Sequence, residues 1–189
     1  MEHSTRIVTV FGSAFPQPGE PEYLHALEVG RALGAAGFTV CNGGYGGVME
    51  ASARGAKESG GRTVGIVAEA FTSRAPNRWI DSVVTVKSMP DRMFALIERG
   101  DAYVVLKGGT GTLLELAAVW EFMNKELMKV KPIVIVGDAW DEVVGSVREQ
   151  LVQEGRAGVA QYVTVVRTPA ECAEVITGKF ASGSSVDGR

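Results

Sequence analysis

The sequence predicts an α/β protein: a Rossmann-like, doubly wound, mainly parallel sheet of about seven strands with helices on both faces. Short β-branched apolar runs alternate with longer helical patterns along nearly the whole chain. Most of these runs are continuously apolar rather than alternating, as expected of strands covered on both sides. Glycine-bearing turns also recur just after strands, on the edge where open parallel sheets bind their ligands.

Taken in order, Arg6 to Phe11 reads as the first strand, followed by the turn Gly12-Ser13 and a helix over 21–36 that Pro21 opens and Gly37 closes. Thr39 to Cys41 is a second strand, leading through Asn42-Gly43-Gly44-Tyr45-Gly46-Gly47 into a helix over 47–59. Thr63 to Val67 is a third. Ala68 to Asp81 has no clear period, holds Arg74, Asn77, Arg78 and Trp79, and reads as a loop of functional length. Ser82 to Val86 precedes a helix over 90–99 opened by Pro90, and Ala102 to Leu106 precedes one over 112–128. Pro132 to Val136, a helix over 139–154, Tyr162 to Val166 and a helix over 169–177 opened by Thr168-Pro169 complete the pattern. Residues 1–178 are thus expected to form one domain. The small, polar segment 179–189 buries too little to offset its ordering entropy and is expected to be a flexible tail.

Of the 189 residues, 46% are apolar and 22% charged, ordinary globular values. No apolar stretch reaches membrane-spanning length, and the N-terminus lacks the cationic-then-apolar pattern of a signal peptide, so cytoplasmic residence without a membrane partner is the expectation. A net charge of −3 gives no electrostatic support to non-specific nucleic-acid binding. Cys41 and Cys172 have no metal-ligand spacing and read as reduced, packed thiols; no metal site and no resident cofactor are implied.

The most informative segment is Lys107-Gly108-Gly109-Thr110-Gly111-Thr112-Leu113-Leu114-Glu115, between a strand and an apolar helix. Glycines allow backbone N–H groups to approach an anion closely, and the unpaired N–H groups of a helix's first turn add partial positive charge. Gly108, Gly109, Thr110, Gly111 and Thr112 therefore read as a monophosphate cradle. No Lys-Ser or Lys-Thr follows the glycines as a P-loop requires, and neither glycine turn completes the dinucleotide fingerprint. Gly12, Ser13, Gly44, Gly46 and Gly47, from the two earlier turns, and Met89, just ahead of Pro90, fall on the same edge and join the nucleotide-binding set.

Two side chains carry candidate chemistry. Thr112-x-x-Glu115 matches a capping box, which alone would explain Glu115 structurally. Beside a phosphate cradle, however, the carboxylate lies within reach of a bound sugar, where it can stabilise an oxocarbenium-like transition state or activate water. Arg92 sits in the first turn of its helix, where the macrodipole disfavours cations, and a guanidinium there can bind phosphate or hold Glu115. The plainer alternative is a solvated arginine beside Asp91. Arg74 and Arg78 are weaker candidates of the same kind. The 112–128 helix is apolar nearly all round, so it must be buried on more than one face; a homodimer through it, with Trp120 and Met123 near the seam or the pocket, is the expectation, and a central core helix the alternative.

At these residues the chain resembles the LONELY GUY (LOG) family. Gly108-Gly109-Thr110-Gly111-Thr112-Leu113-Leu114-Glu115 is similar to the family's Pro-Gly-Gly-x-Gly-Thr-x-x-Glu signature. Phe11-Gly12-Ser13, Gly43 to Ala51, and Arg92 ahead of Asp101-Ala102 match in order, and the likeness runs from Ile7 to about Val166. It implies a modified Rossmann-like dimer that hydrolyses the N-glycosidic bond of AMP or a cytokinin riboside 5′-monophosphate to free base and ribose 5-phosphate. Arg92 and Glu115 would be the catalytic pair. Lys107 stands where the signature has proline, adding a cation at the loop, and Met93 stands where many members carry lysine. A second reading keeps the fold without the chemistry: a binding module similar to the molybdenum cofactor carrier proteins, which hold a pterin phosphate without turning it over.

Overall fold

The computed structural model describes residues 5–71 and 75–183. All seven apolar runs are strands, displaced by at most one residue at either end: β1 (Ile7–Phe11), β2 (Thr39–Asn42), β3 (Thr63–Ala68), β4 (Ser82–Val86), β5 (Ala102–Val105), β6 (Ile133–Val136) and β7 (Val163–Val166). They form one sheet in the order β4-β3-β2-β1-β5-β6-β7 with every neighbouring pair parallel. The order reverses between β1 and β5, which leaves a crevice beyond their carboxyl ends.

The helices are α1 (Pro21–Ala35), α2 (Val48–Glu58), α3 (Met89–Arg99), α4 (Thr110–Asn124), α5 (Asp141–Gln153), the short α6 (Ala157–Ala160) and α7 (Pro169–Gly183). Successive strand residues serve opposite cores, which is why the strands read as unbroken apolar runs. Val8, Val10, Val40, Val104 and Val134 pack with Leu33, Phe38 and Ile176 under α1, α2 and α7. Phe11, Cys41, Tyr103, Val105 and Ile135 pack with Leu96, Leu116, Trp120 and Val144 under α3, α4 and α5. Both cysteines are buried free thiols, and burial pushes each up to about 12. Among the described residues no helix is long and apolar enough to cross a membrane.

Two helix C-termini lie more than one residue from the sequence expectation. α4 stops at Asn124 rather than 128 because Glu126 takes a left-handed φ of 58°, with Glu126 N–H donating to the Met123 carbonyl and Leu127 N–H to that of Phe122. This is a Schellman closure made without glycine, so the apolar Leu127 and Met128 beyond it mimic a continuing helix. α7 runs past Gly178 to Gly183, since Phe180 lies against Phe38 at 5.8 Å and beneath the Arg6 guanidinium at 5.1 Å. Residues 179–183 of the expected tail are therefore helical, and residues 184–189 lie outside the described set, as does Arg74.

Glycines bring α1 and α2 into backbone contact. A Cβ on Gly30 would lie 2.1 Å from the Ser52 carbonyl oxygen, and one on Gly55 would lie 2.0 Å from that of Leu27. Neither backbone has a flexible end that can give way. Gly30→Ala should therefore lower the unfolding free energy by about 1–2 kcal/mol despite alanine's better helix propensity. Gly145→Ala on α5, where nothing stands within 4 Å, should instead raise it by up to about 1 kcal/mol. Urea unfolding of the two variants checks the opposite signs.

Candidate active site

A cleft of about 270 Å³ opens at the carboxyl edge of the sheet, lined by Gly12 to Phe15 after β1, by Gly43 and Met49 around the turn after β2, and by the starts of α3 and α4. Backbone hydrogen bonds hold the loops against one another. Ser13 N–H donates to the Lys107 carbonyl at 3.1 Å, and the Ser13 carbonyl accepts from Val48 N–H at 2.8 Å. Gly12 lies against α2, where an added Cβ would meet Val48 Cγ1 at 2.5 Å.

The turn after β2 is set by two asparagines. Buried Asn42 accepts from Gly44 N–H at 2.8 Å and donates to the Met49 carbonyl at 2.8 Å and to Ser52 Oγ at 3.1 Å. Asn77, from the long loop, donates through Nδ2 to the Gly44 and Tyr45 carbonyls at 3.1 and 2.8 Å. Gly44 and Gly47 supply positive φ values of 75° and 67°, and a Cβ on Gly47 would meet the Ala14 carbonyl carbon at 2.5 Å. Gly44 and Gly47 shape the turn, and neither they nor Gly46, all three expected to contact nucleotide, are among the residues lining the cleft. Gly43 does line it, and a Cβ there would lie 1.5 Å from Arg92 Nη2, so that position leaves room for the guanidinium.

Arg92 rides on α3, which begins at Met89 under a Ser88–Asp91 capping box. Asp91 is thus engaged with Ser88, and Arg92 turns inward, half-buried: Nε donates to the Ile66 carbonyl at 2.8 Å, Nη2 lies 3.5 Å from Met49 Sδ, and the guanidinium stands over the Tyr45 ring at 5.4 Å. Met89 and Met93 line the cleft beside it.

Glu115 is not a cap. α4 starts two residues earlier than the sequence pattern suggests, with Gly109 at the N-cap and no side-chain cap, so Glu115 sits in the second turn, out of reach of the helix entry. Thr112 is buried, whereas Gly109, Thr110 and Gly111 present the first-turn backbone to the cleft. Gly108 stands behind, where a Cβ would meet Thr112 Oγ1 at 2.2 Å. The Glu115 carboxyl is half-buried; burial pushes it up to about 7 from the ordinary 4.5, and the Arg92 guanidinium pulls it partway back. The coupling between them is Coulombic, with no hydrogen bond.

Lys107 does not join this cleft. Its ammonium pairs with Glu22 at 2.7 Å and faces a separate groove between α1 and the end of β6. Arg78 is exposed and covers the Trp79 ring at 4.7 Å. Trp120 and Met123, expected near a seam or the pocket, are buried in the core, where Trp120 Nε1 donates to the Val159 carbonyl. Phe15, Met49, Leu96 and Leu114 complete the cleft and were missed as site residues, since an apolar wall has no motif; the signal for Phe15 was an aromatic residue inside a polar turn.

Because Glu115 is held neutral by the fold until about pH 7 but ionises near 4.5 when unfolded, the native state binds more protons across that window. This group's contribution to stability therefore falls as pH rises from 4.5 to 7. Glu115→Gln should stabilise the protein above pH 7 and leave it unchanged below about pH 4.5, as read by denaturant unfolding at pH 4 and pH 8.

Known proteins share both the sequence pattern and the architecture. The chain is 35% identical over 142 residues to the cytokinin riboside 5′-monophosphate phosphoribohydrolase of Mycobacterium tuberculosis, covering 73% of each chain. It is 34% identical over 134 residues to the protein of the same name from Rhodococcoides fascians, covering 69% of this chain and 67% of that one. The molybdenum cofactor carrier protein of Chlamydomonas reinhardtii superposes with a TM-score of 0.73 at 21% identity over 94% of this chain and 99% of the other, a likeness of fold. The SLOG cluster4 family model matches residues 5–171, and the chain belongs to that family.

Proposed function

We propose that this protein is a nucleoside 5′-monophosphate phosphoribohydrolase, cleaving the N-glycosidic bond of AMP or a cytokinin riboside 5′-monophosphate to free base and ribose 5-phosphate. One observation carries the reading: a carboxyl group whose pKa burial brings to about 7 shares a cleft with the start of α4. A helix N-terminus attracts a phosphate, and an acid poised near neutrality suits proton transfer or charge stabilisation at the sugar. The relatives named above as cytokinin riboside 5′-monophosphate phosphoribohydrolases support the same chemistry.

In this reading the 5′-phosphate binds the first-turn N–H groups of α4, with the Thr110 hydroxyl and the Ser13 turn beside it. This directs C1′ towards Glu115. As the bond from C1′ to the base nitrogen breaks, positive charge grows on the sugar, and ionised Glu115 stabilises it and accepts a proton from the incoming water. Water's hydroxyl ends on C1′, and its proton ends on the departing base. Arg92, fixed by the Ile66 carbonyl, favours the ionised form of Glu115. The likeness to molybdenum cofactor carriers, at 21% identity, concerns the fold and does not favour a carrier over an enzyme.

We further propose a cytoplasmic homodimer formed through α4 and its neighbours. Leu113 on α4 and Phe94 on α3, outside the cleft, are 39% and 44% exposed, an apolar surface that a partner copy would cover. Sedimentation should give twice the chain mass for the wild type and a monomer for Leu113→Glu; a monomeric wild type contradicts the dimer.

Incubation with AMP and with isopentenyladenosine monophosphate, followed by chromatography, should reveal released base. Glu115→Gln should lower kcat by about 10²- to 10³-fold while the protein remains folded. If ionised Glu115 is the working form, kcat/KM rises with pH through a limb near 7, and Arg92→Ala moves that limb to higher pH while lowering the plateau. Unaltered release from Glu115→Gln contradicts the assignment.

A further inference from the structure

The apolar wall of the cleft is unexplained by phosphate or sugar chemistry. Phe15 lines it while 83% exposed, an unfavourable setting for a large aromatic ring in an unliganded surface loop. The other phenylalanine of the wall, Phe11, is buried and stacked on Tyr103 at 5.9 Å. The backbone around Phe15 is braced rather than loose. Phe15 N–H donates to Ser13 Oγ at 3.2 Å, and its carbonyl accepts from Gln17 Nε2 at 2.7 Å. Gln17 N–H is itself held by Glu20 Oε2 at 2.8 Å. Ser13 in turn is tied to the loops after β5 and before α2. The ring is therefore presented at the mouth of the cleft by a fixed turn, with the thioethers of Met49, Met89 and Met93 and the side chain of Leu114 as the remaining apolar surface.

Among the described residues, the polar side chains lining the cleft are Ser13, Arg92, Thr110, Thr112 and Glu115. The proposed mechanism engages Ser13, Thr110 and Glu115 with phosphate and sugar, Arg92 is held through Nε by the Ile66 carbonyl and acts on Glu115, and Thr112 is buried. Among the described residues, no side-chain amide lines the cleft to read the hydrogen-bonding edge of a base. We infer that Phe15 is the stacking face for the base and that the cleft selects bases by flat apolar area rather than by the pattern of donors and acceptors on their edge. This rests on the nucleoside monophosphate reading of the site and names its substrate class: purine 5′-monophosphates accepted with little regard to whether the ring carries an amino or a carbonyl group, and pyrimidine 5′-monophosphates held more weakly. Methionines suit such a role because their flexible, polarisable chains pack against aromatic surfaces of varied outline.

Calorimetric titration of AMP, IMP, CMP and ribose 5-phosphate into the wild type, Phe15→Ala and Phe15→Trp tests this. AMP and IMP should bind the wild type within about tenfold of one another, because an apolar pocket discriminates far less than a hydrogen-bonding one. Phe15→Ala should weaken AMP about tenfold, the scale of one lost base–aromatic stack, and should also erase the preference for AMP over CMP. Ribose 5-phosphate should bind all three proteins equally, and Phe15→Trp should retain AMP binding. Equal loss of AMP and ribose 5-phosphate in Phe15→Ala would show that the ring only braces the loop and would overturn the proposal, as would unchanged AMP binding. IMP bound a hundredfold more weakly than AMP would overturn it too. Base release is followed separately on the same samples: AMP bound in a Phe15-dependent way but not hydrolysed leaves the stacking role standing and removes the hydrolase reading, whereas a wild type that binds no nucleotide overturns both.

Discussion

The constraint on which the site depends is the incomplete hydration of one carboxyl group. Glu115 projects from the second turn of α4 into a cleft walled by methionines and phenylalanines, and its nearest charge, Arg92, interacts with it through space rather than by a hydrogen bond. Were the two joined as a tight ion pair, the acid would be locked in its ionised form with a depressed pKa and little capacity to exchange protons near neutrality. The fold prevents this by engaging Arg92 elsewhere. The Ile66 carbonyl takes its Nε, and the Tyr45 ring lies beneath its guanidinium.

That arrangement is built by the sheet order. The sheet order reverses between β1 and β5, and α3 and α4 start on the same carboxyl edge, so Arg92 and Glu115 face one opening. The glycine turn after β2 serves it indirectly. Asn42 and Asn77 fix its path, and the absence of a side chain at Gly43 leaves the space that Arg92 fills. Long-range order in the site thus comes from backbone packing and buried amides, while the chemistry rests on two ionisable groups.

Much of this was legible in the sequence. Continuous apolar runs such as Tyr103 to Leu106 identified strands covered on both sides, and strand–glycine–helix spacing placed Gly109 to Thr112 and Glu115 in one cleft. Local patterns misled where a competing geometry was available. Thr112-x-x-Glu115 has the spacing of a capping box, but Gly109 starts the helix earlier, and at Ser88-Met89-Pro90-Asp91 the same kind of box does form. The end of α4 was hidden because Glu126, rather than a glycine, adopts the left-handed turn. For the glycines after β2, the structure adds a conformational reason for Gly44 and Gly47, whose φ values are positive. Lys107 could not be assigned a direction from sequence, since its partner is Glu22, a residue distant along the chain.

The most direct test is a titration of the Glu115 side-chain carboxyl carbon by NMR in the ligand-free protein, assigned with Glu115→Gln as the reference. An apparent pKa near 7, moving higher in Arg92→Ala, is the result expected of a buried acid coupled through space to a guanidinium. A midpoint near the ordinary 4.5 would mean that the carboxyl is fully hydrated, and the proposed catalytic role of Glu115 would be contradicted.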